Sequence, residues 1–142
     1  MLLALDVGNT NTTVGLFEGR ELRIHWRLST RRDGTGDEYG MLIGNLLHLA
    51  GLQSEQVSAL ILASVVPPLE SALTEMAQRY FRIIPLVVGR AIKTGMPILY
   101  DNPHEVGADR IVNAVAVFET YGGPAIVVDF GTATTFDAVS AR

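Results

Sequence analysis

The 142-residue sequence has no cysteine, which excludes disulfides, zinc–thiolate sites and cysteine catalysis. It also lacks a long basic run. With 11 Lys+Arg against 15 Asp+Glu, its formal net charge is −4. That balance argues against nucleic acid as a partner, and the pair Arg31-Arg32 is too short to change this. Long apolar runs are missing too. Val57 to Pro67 is too short and too β-branched to span a bilayer, so no membrane association is expected. Met1 to Leu5 is cut short by Asp6 and has no basic flank, unlike a signal peptide. These absences describe a soluble chain, and the missing thiols suit the cytoplasm. The composition, 48% hydrophobic and 18% charged, is ordinary for a single globular domain with a core.

The most informative feature present is a turn that occurs twice. Leu3-Ala4-Leu5-Asp6-Val7-Gly8-Asn9-Thr10 is followed by Asn11, Thr12 and Thr13; Ile126-Val127-Val128-Asp129-Phe130-Gly131-Thr132 is followed by Ala133, Thr134 and Thr135. Each is an apolar strand ending in Asp, then a residue, Gly, and a return strand rich in hydroxyls or amides. A strand-end carboxylate can hold a hydrated cation. Glycine allows a sharp bend and close approach to a ligand, and Ser, Thr and Asn offer donors to phosphate oxygens. One copy alone reads more readily as a tight hairpin with Gly8-Asn9 at its special angles. Two copies, facing each other, would clamp a metal–nucleotide complex.

Around these turns the pattern predicts strands over Leu2 to Asp6, Thr12 to Phe17 and Leu22 to Leu28, the last two joined through Glu18-Gly19-Arg20. A helix capped by Asp37 should run to about Ala50, with Met41, Leu42, Leu46 and Leu49 inward and Gly51 as its stop. A strand over Val57 to Val65, a helix from about Leu69 to Phe81 behind Pro67-Pro68, and a strand over Ile83 to Val88 follow. Ala91 to Asn102 reads as irregular. Asn102-Pro103-His104-Glu105 should box the start of a helix continuing to about Tyr121. Trp26 and Phe81 fall at core positions, and His25, His48 and His104 read as surface or turn residues. Strands alternating with helices imply an α/β fold, a mixed β-sheet flanked by helices. Residues 1–121 form a first domain on this reading, and 122–142 the first hairpin of a duplicated second one. The chain then reads as the front part of a longer protein. The final strand, Thr134 to Ser140, would carry an unpaired edge and promote self-association. A clean monomer in light scattering at high concentration would count against that.

A third constellation is Gly107-Ala108-Asp109-Arg110 at a helix start. Asp109 and Arg110 read either as a solvated pair favouring the helix dipole, or as a general base with a partner for an anionic substrate group. A carboxylate suffices for phosphoryl transfer, where the base chiefly orients the nucleophile.

Collected in order, Asp6-Val7-Gly8-Asn9-Thr10-Asn11-Thr12, Ser64-Val65-Val66-Pro67-Pro68, Lys93-Thr94-Gly95, Tyr100-Asp101-Asn102-Pro103, Gly107-Ala108-Asp109-Arg110 and Asp129-Phe130-Gly131-Thr132-Ala133-Thr134-Thr135 resemble the type III pantothenate kinases. The resemblance covers the chain from end to end. It implies a ribonuclease H-like, actin-like ATPase domain and ATP-dependent phosphorylation of pantothenate, the entry to coenzyme A synthesis. By resemblance, Asp6, Gly8, Asn9, Thr10, Asn11, Thr12, Thr13 and Thr132 would handle the phosphates of ATP, with Asp6 serving Mg2+. Asp129 would serve a monovalent cation, K+ or NH4+. Tyr100, Gly107, Ala108, Asp109 and Arg110 would form the pantothenate site, with Asp109 as base. The resemblance also implies a cytoplasmic homodimer of chains about twice this length, whose second half closes the site. Two other readings stay open: a non-catalytic nucleotide- or partner-binding relative, and a superfamily kinase for another small alcohol or carboxylate.

Overall fold

The computed structural model describes residues 1–89 and 92–141. Ala91, where the irregular stretch was expected to begin, and the His104 side chain lie outside the described residues. The fold divides into two compact units, Met1–Val87 and Val88–Arg142.

The first unit opens with the expected meander: β1 (Leu2–Val7), β2 (Asn11–Glu18) and β3 (Glu21–Ser29). Glu18 pairs with Glu21 across the turn Gly19-Arg20, and Gly19 adopts φ 60°, a left-handed angle that a two-residue hairpin loop requires and glycine supplies without strain. Helix α1 (Gly36–Leu49), β4 (Ala59–Ser64), helix α2 (Pro67–Phe81) and β5 (Leu86–Val88) follow. The sheet order is β3-β2-β1-β4-β5. β1 is antiparallel to β2 and parallel to β4, so the sheet is mixed and the fold α/β.

Alternation along β1 decides the site's position. Leu3, Leu5 and Val7 point into the core with Val14, Leu16, Leu60 and Leu62, and meet Ile43 and Leu47 of α1 and Leu69, Leu73 and Met76 of α2. Burying each such side chain stabilises the fold by about 1.5–3 kcal/mol. Period two then forces Asp6 onto the opposite, exposed face at the end of the strand.

Three expectations for this unit need correction. The cap of α1 is Thr35, not Asp37. Its hydroxyl accepts the Glu38 N–H at 3.2 Å while the Glu38 carboxylate accepts the Thr35 N–H at 2.8 Å. Capping at Asp37 would place Gly40 at the reciprocal position, with no side chain to answer. Asp37 instead accepts from the Tyr80 hydroxyl at 2.8 Å. Hydrogen bonds from Thr35 hold the Glu38 carboxyl below its ordinary value. The box's contribution is therefore present above the ordinary glutamate range and lost as pH falls through the depressed value. Thr35→Ala should lower stability by about 1 kcal/mol in denaturant melts.

The apolar face of α1 is also different. Tyr39, Ile43 and Leu47 are buried, whereas Met41 and Leu49 are 64% and 82% exposed. Glycine explains this: a Cβ on Gly36 would meet Ala72 O at 2.8 Å, and one on Gly40 would strike the Tyr80 ring. Close approach to α2 selects the glycine face, which an apolar count ignores. Third, the strand expected over Ile83 to Val88 is only Leu86–Val88. Arg82 is left-handed at φ 58° and the Ile83 N–H closes α2 on Ala77 O at 3.1 Å. Pro85 then has no N–H for a ladder.

The second unit holds a 3-10 turn (Pro103–Glu105), helix α3 (Ala108–Tyr121) and the hairpin β6 (Ala125–Phe130) with β7 (Thr134–Val139), paired antiparallel. α3 packs on this hairpin. At the expected box the contacts are of another kind: Asn102 Nδ2 donates to Glu105 Oε1 at 2.7 Å, side chain to side chain, and the Glu105 N–H donates to the Asn102 backbone oxygen at 3.0 Å. They open only the 3-10 turn. Extended backbone at Gly107 (φ −64°, ψ 153°) interrupts the chain, and α3 starts afresh behind it.

Among the described residues no helix is long and apolar enough to cross a membrane. His25 and His48 are exposed.

Candidate functional site

The two aspartate–glycine turns lie one in each unit. In the first, the chain leaves β1 at Val7 and returns at Asn11. The Gly8 N–H donates to Asn11 O at 2.9 Å, and the Thr30 N–H ties Thr10 O to the end of β3 at 2.9 Å. Gly8 is not at positive φ, so the special angles expected of Gly8-Asn9 are absent. What glycine provides is room, since a Cβ would sit 3.0 Å from Asn11 O. Asp6 pairs with Thr13 across the hairpin, and both are exposed on the same face. Asn9 and Thr10 are also exposed. Thr12 is different: it is wholly buried and its hydroxyl bonds that of Thr30 at 2.9 Å, so it presents no surface to a ligand and instead ties β2 to the end of β3. Parallel β4 ends alongside, Ser64 against Val7, and the Ser64 hydroxyl accepts the Val66 N–H at 3.1 Å just before α2. A carboxylate at the carboxyl end of a parallel strand stands where open α/β sheets take their ligands.

In the second unit, α3 and the hairpin are joined by two polar side-chain pairs, Asn113 with Asp129 and Arg110 with Asp137. Asp129 and Asp137 lie on the more shielded face of β6 and β7, the face bearing Val127 and Val139. Asn113, one helical turn beyond Asp109, donates from Nδ2 to Asp129 Oδ2 at 3.4 Å. Asp109 is half-buried in the first turn of α3, its Oδ1 accepting the Arg110 N–H at 2.7 Å. Arg110 reaches β7, where its Nε donates to Asp137 Oδ1 at 2.7 Å and its Nη2 to the same oxygen. The Tyr100 ring lies beneath the guanidinium, 5.6 Å from Cζ. The Asp137 hydrogen bond holds the Arg110 guanidinium above the usual arginine value, against the opposing effect of burial. Gly131, the counterpart of Gly8, is not at positive φ. A Cβ there would make only ordinary contact, 3.6 Å from Asp129 Oδ1. Thr132 is exposed at the turn.

Beside this cluster is a cavity of about 450 Å³ walled by Met96, Leu99, Tyr100, Phe118 and Val139, with Arg110 and Asp137 as its ionic pair. Tyr100 and Arg110 thus come together at one cavity, while Asp109 lies outside its lining. Sequence reasoning missed Asp137 and Asn113. Asn113 carried a legible signal, its i, i+4 spacing from Asp109; Asp137 carried only its strand parity with Asp129.

Comparison with known proteins agrees with the ordered motifs. The profile of the type III pantothenate kinases matches residues 2–142. The chain is 58% identical over 142 residues to the type III pantothenate kinase of Moorella thermoacetica, covering 100% of this chain and 56% of that protein. The enzyme of Myxococcus xanthus is 58% identical over the same shares, and that of Anaeromyxobacter dehalogenans 59%. The chain spans about half the length of the curated relatives it matches. Six motifs in order, two aspartate turns on an α/β frame and a match along nearly every residue lead to one conclusion: this chain belongs to the type III pantothenate kinase family.

Proposed function

We propose that the chain takes part in ATP-dependent phosphorylation of pantothenate at its primary alcohol, giving 4'-phosphopantothenate, the first step of coenzyme A biosynthesis. The observation that carries this reading is the Asp109-Arg110 pair at the start of α3. A carboxylate and a guanidinium stand on adjacent residues, the latter over Tyr100 at an apolar cavity. Pantothenate has the matching groups: an alcohol to be deprotonated, a carboxylate for Arg110, and a dimethyl-substituted carbon for the apolar wall.

Asp109 then acts as the base. One of its oxygens is tied to the Arg110 N–H, which orients the carboxyl so that the other can receive the hydroxyl proton. In a loose phosphoryl-transfer transition state this group mainly aligns the nucleophile. Arg110 and Tyr100 hold the substrate, and the backbone around Gly107 and Ala108 completes its site. At the β1–β2 turn, Asp6, Gly8, Asn9, Thr10, Asn11 and Thr13 bind the phosphates of ATP, with Thr12 holding the strand beneath them; Thr132, on the turn of the second unit, is likewise read as a phosphate-binding residue.

The donor set fits Mg2+ bound with the nucleotide. Among the described residues no three His, Cys, Asp or Glu cluster, and Mg2+ held by one carboxylate and substrate phosphates needs no such cage. Asp6 would hold it, and its charge would offset that of the phosphates. Asp129, half-buried and steadied by the Asn113 amide, is the corresponding ligand for K+ or NH4+. The reading includes a cytoplasmic homodimer.

Coupled ADP release, with and without pantothenate, in magnesium and potassium, tests this. Pantothenate-dependent release is expected from the full-length gene product. Release with glucose or acetate but not pantothenate would replace the substrate assignment.

A further inference from the structure

Arginine carries five N–H donors in a rigid planar fork, and its two edges can each engage a planar acceptor. Here Asp137 takes the side edge, with Nε and Nη2 both donating to one oxygen. Asp137 leaves the end edge, Nη1 and the second Nη2 proton, for a planar acceptor such as a carboxylate, with the Tyr100 side chain as the guanidinium's other hydrogen-bond partner. The pair is well shielded, the two side chains being 25% and 16% exposed, so its geometry is held rather than averaged by solvent. Tyr100 fixes the plane from below, and Arg110 and Asp137 both line the apolar cavity.

We propose that Asp137 is a positioning residue for substrate recognition: by occupying the side edge of Arg110 it turns the end edge to the substrate carboxylate. This rests on the pantothenate reading above, and assigns a role to a residue outside the substrate set drawn from the motifs. Two effects of Asp137 oppose each other. Its negative charge reduces the attraction of Arg110 for an anion, whereas its hydrogen bonds remove the freedom a long arginine would otherwise lose on binding. Positioning and masking therefore predict opposite signs for its removal.

The test compares pantothenate with panthenol, its neutral alcohol analogue, as substrates of the full-length gene product. Wild type, Asp137→Asn, Asp137→Ala, Arg110→Ala and the Arg110→Ala/Asp137→Asn double variant are each assayed, with a thermal melt as a control on folding. Asp137→Asn should raise KM for pantothenate about tenfold with kcat within about twofold, and leave panthenol unchanged. Asp137→Ala should lose at least as much discrimination. In the Arg110→Ala background, Asp137→Asn should add nothing, because its effect passes through Arg110. Equal losses on both substrates, or a lowered melt with discrimination intact, would reduce Asp137 to a clamp between α3 and β7. Tighter pantothenate use by Asp137→Asn would make it a mask and overturn the proposal. A wild-type enzyme that does not prefer pantothenate to panthenol would instead remove the carboxylate assignment of Arg110 itself, and this proposal with it.

Discussion

Asp109→Asn is expected to lower kcat for pantothenate phosphorylation at least about a hundredfold, with little change in KM. The substitution is close to isosteric. The asparagine carbonyl can still accept the Arg110 N–H that Asp109 Oδ1 accepts at 2.7 Å, so the side chain keeps its place at the start of α3. What is lost is the ability to take a proton and to hold the alcohol as an acceptor on both oxygens. A selective fall in kcat would be the signature of an interaction made in the transition state. Single-turnover measurement with full-length gene product separates the chemical step from product release. Unchanged turnover would remove Asp109 from the mechanism and leave it as a helix-start acid favoured by the dipole.

Asp129→Ala is expected to abolish dependence on potassium or ammonium, reducing the rate in saturating cation to roughly the cation-free level. Asp129 sits at the end of β6, opposite Thr135, and the Asn113 amide approaches its Oδ2 at 3.4 Å. Removing the carboxylate leaves that amide without its acceptor and takes away the charge that would hold a monovalent ion. Activity measured against potassium at constant ionic strength, with sodium as the replacement ion, reads this directly. A variant that still responds to potassium would place the cation elsewhere.

Strand parity made much of the framework legible. Period two along β1 and β2, and the Gly19 turn between β2 and β3, are visible in the residues, and so is the placement of Asp6 at a strand end. α1 was legible as a helix but not in its orientation. Met41 and Leu49 look like core residues by spacing, yet the glycines at 36 and 40 bring the opposite face against α2. Thr35 and Glu38 carried a readable capping pattern that Asp37 obscured. The break between the 3-10 turn at residues 103–105 and α3 depends on Gly107 adopting extended backbone, which a capping pattern alone does not encode.

By itself the sequence determined the α/β alternation, the paired aspartate turns and the candidate base and guanidinium at positions 109 and 110, because these depend on local periodicity and on residue chemistry at short spacing. Only the tertiary structure decided which acceptors those groups meet. Asp137 reaches Arg110 across 27 positions, Asn113 reaches Asp129 across 16, and the Thr12 hydroxyl turns inward to Thr30. Such partnerships follow from how a helix lies on a hairpin and how one strand registers on the next, and no local pattern specifies either.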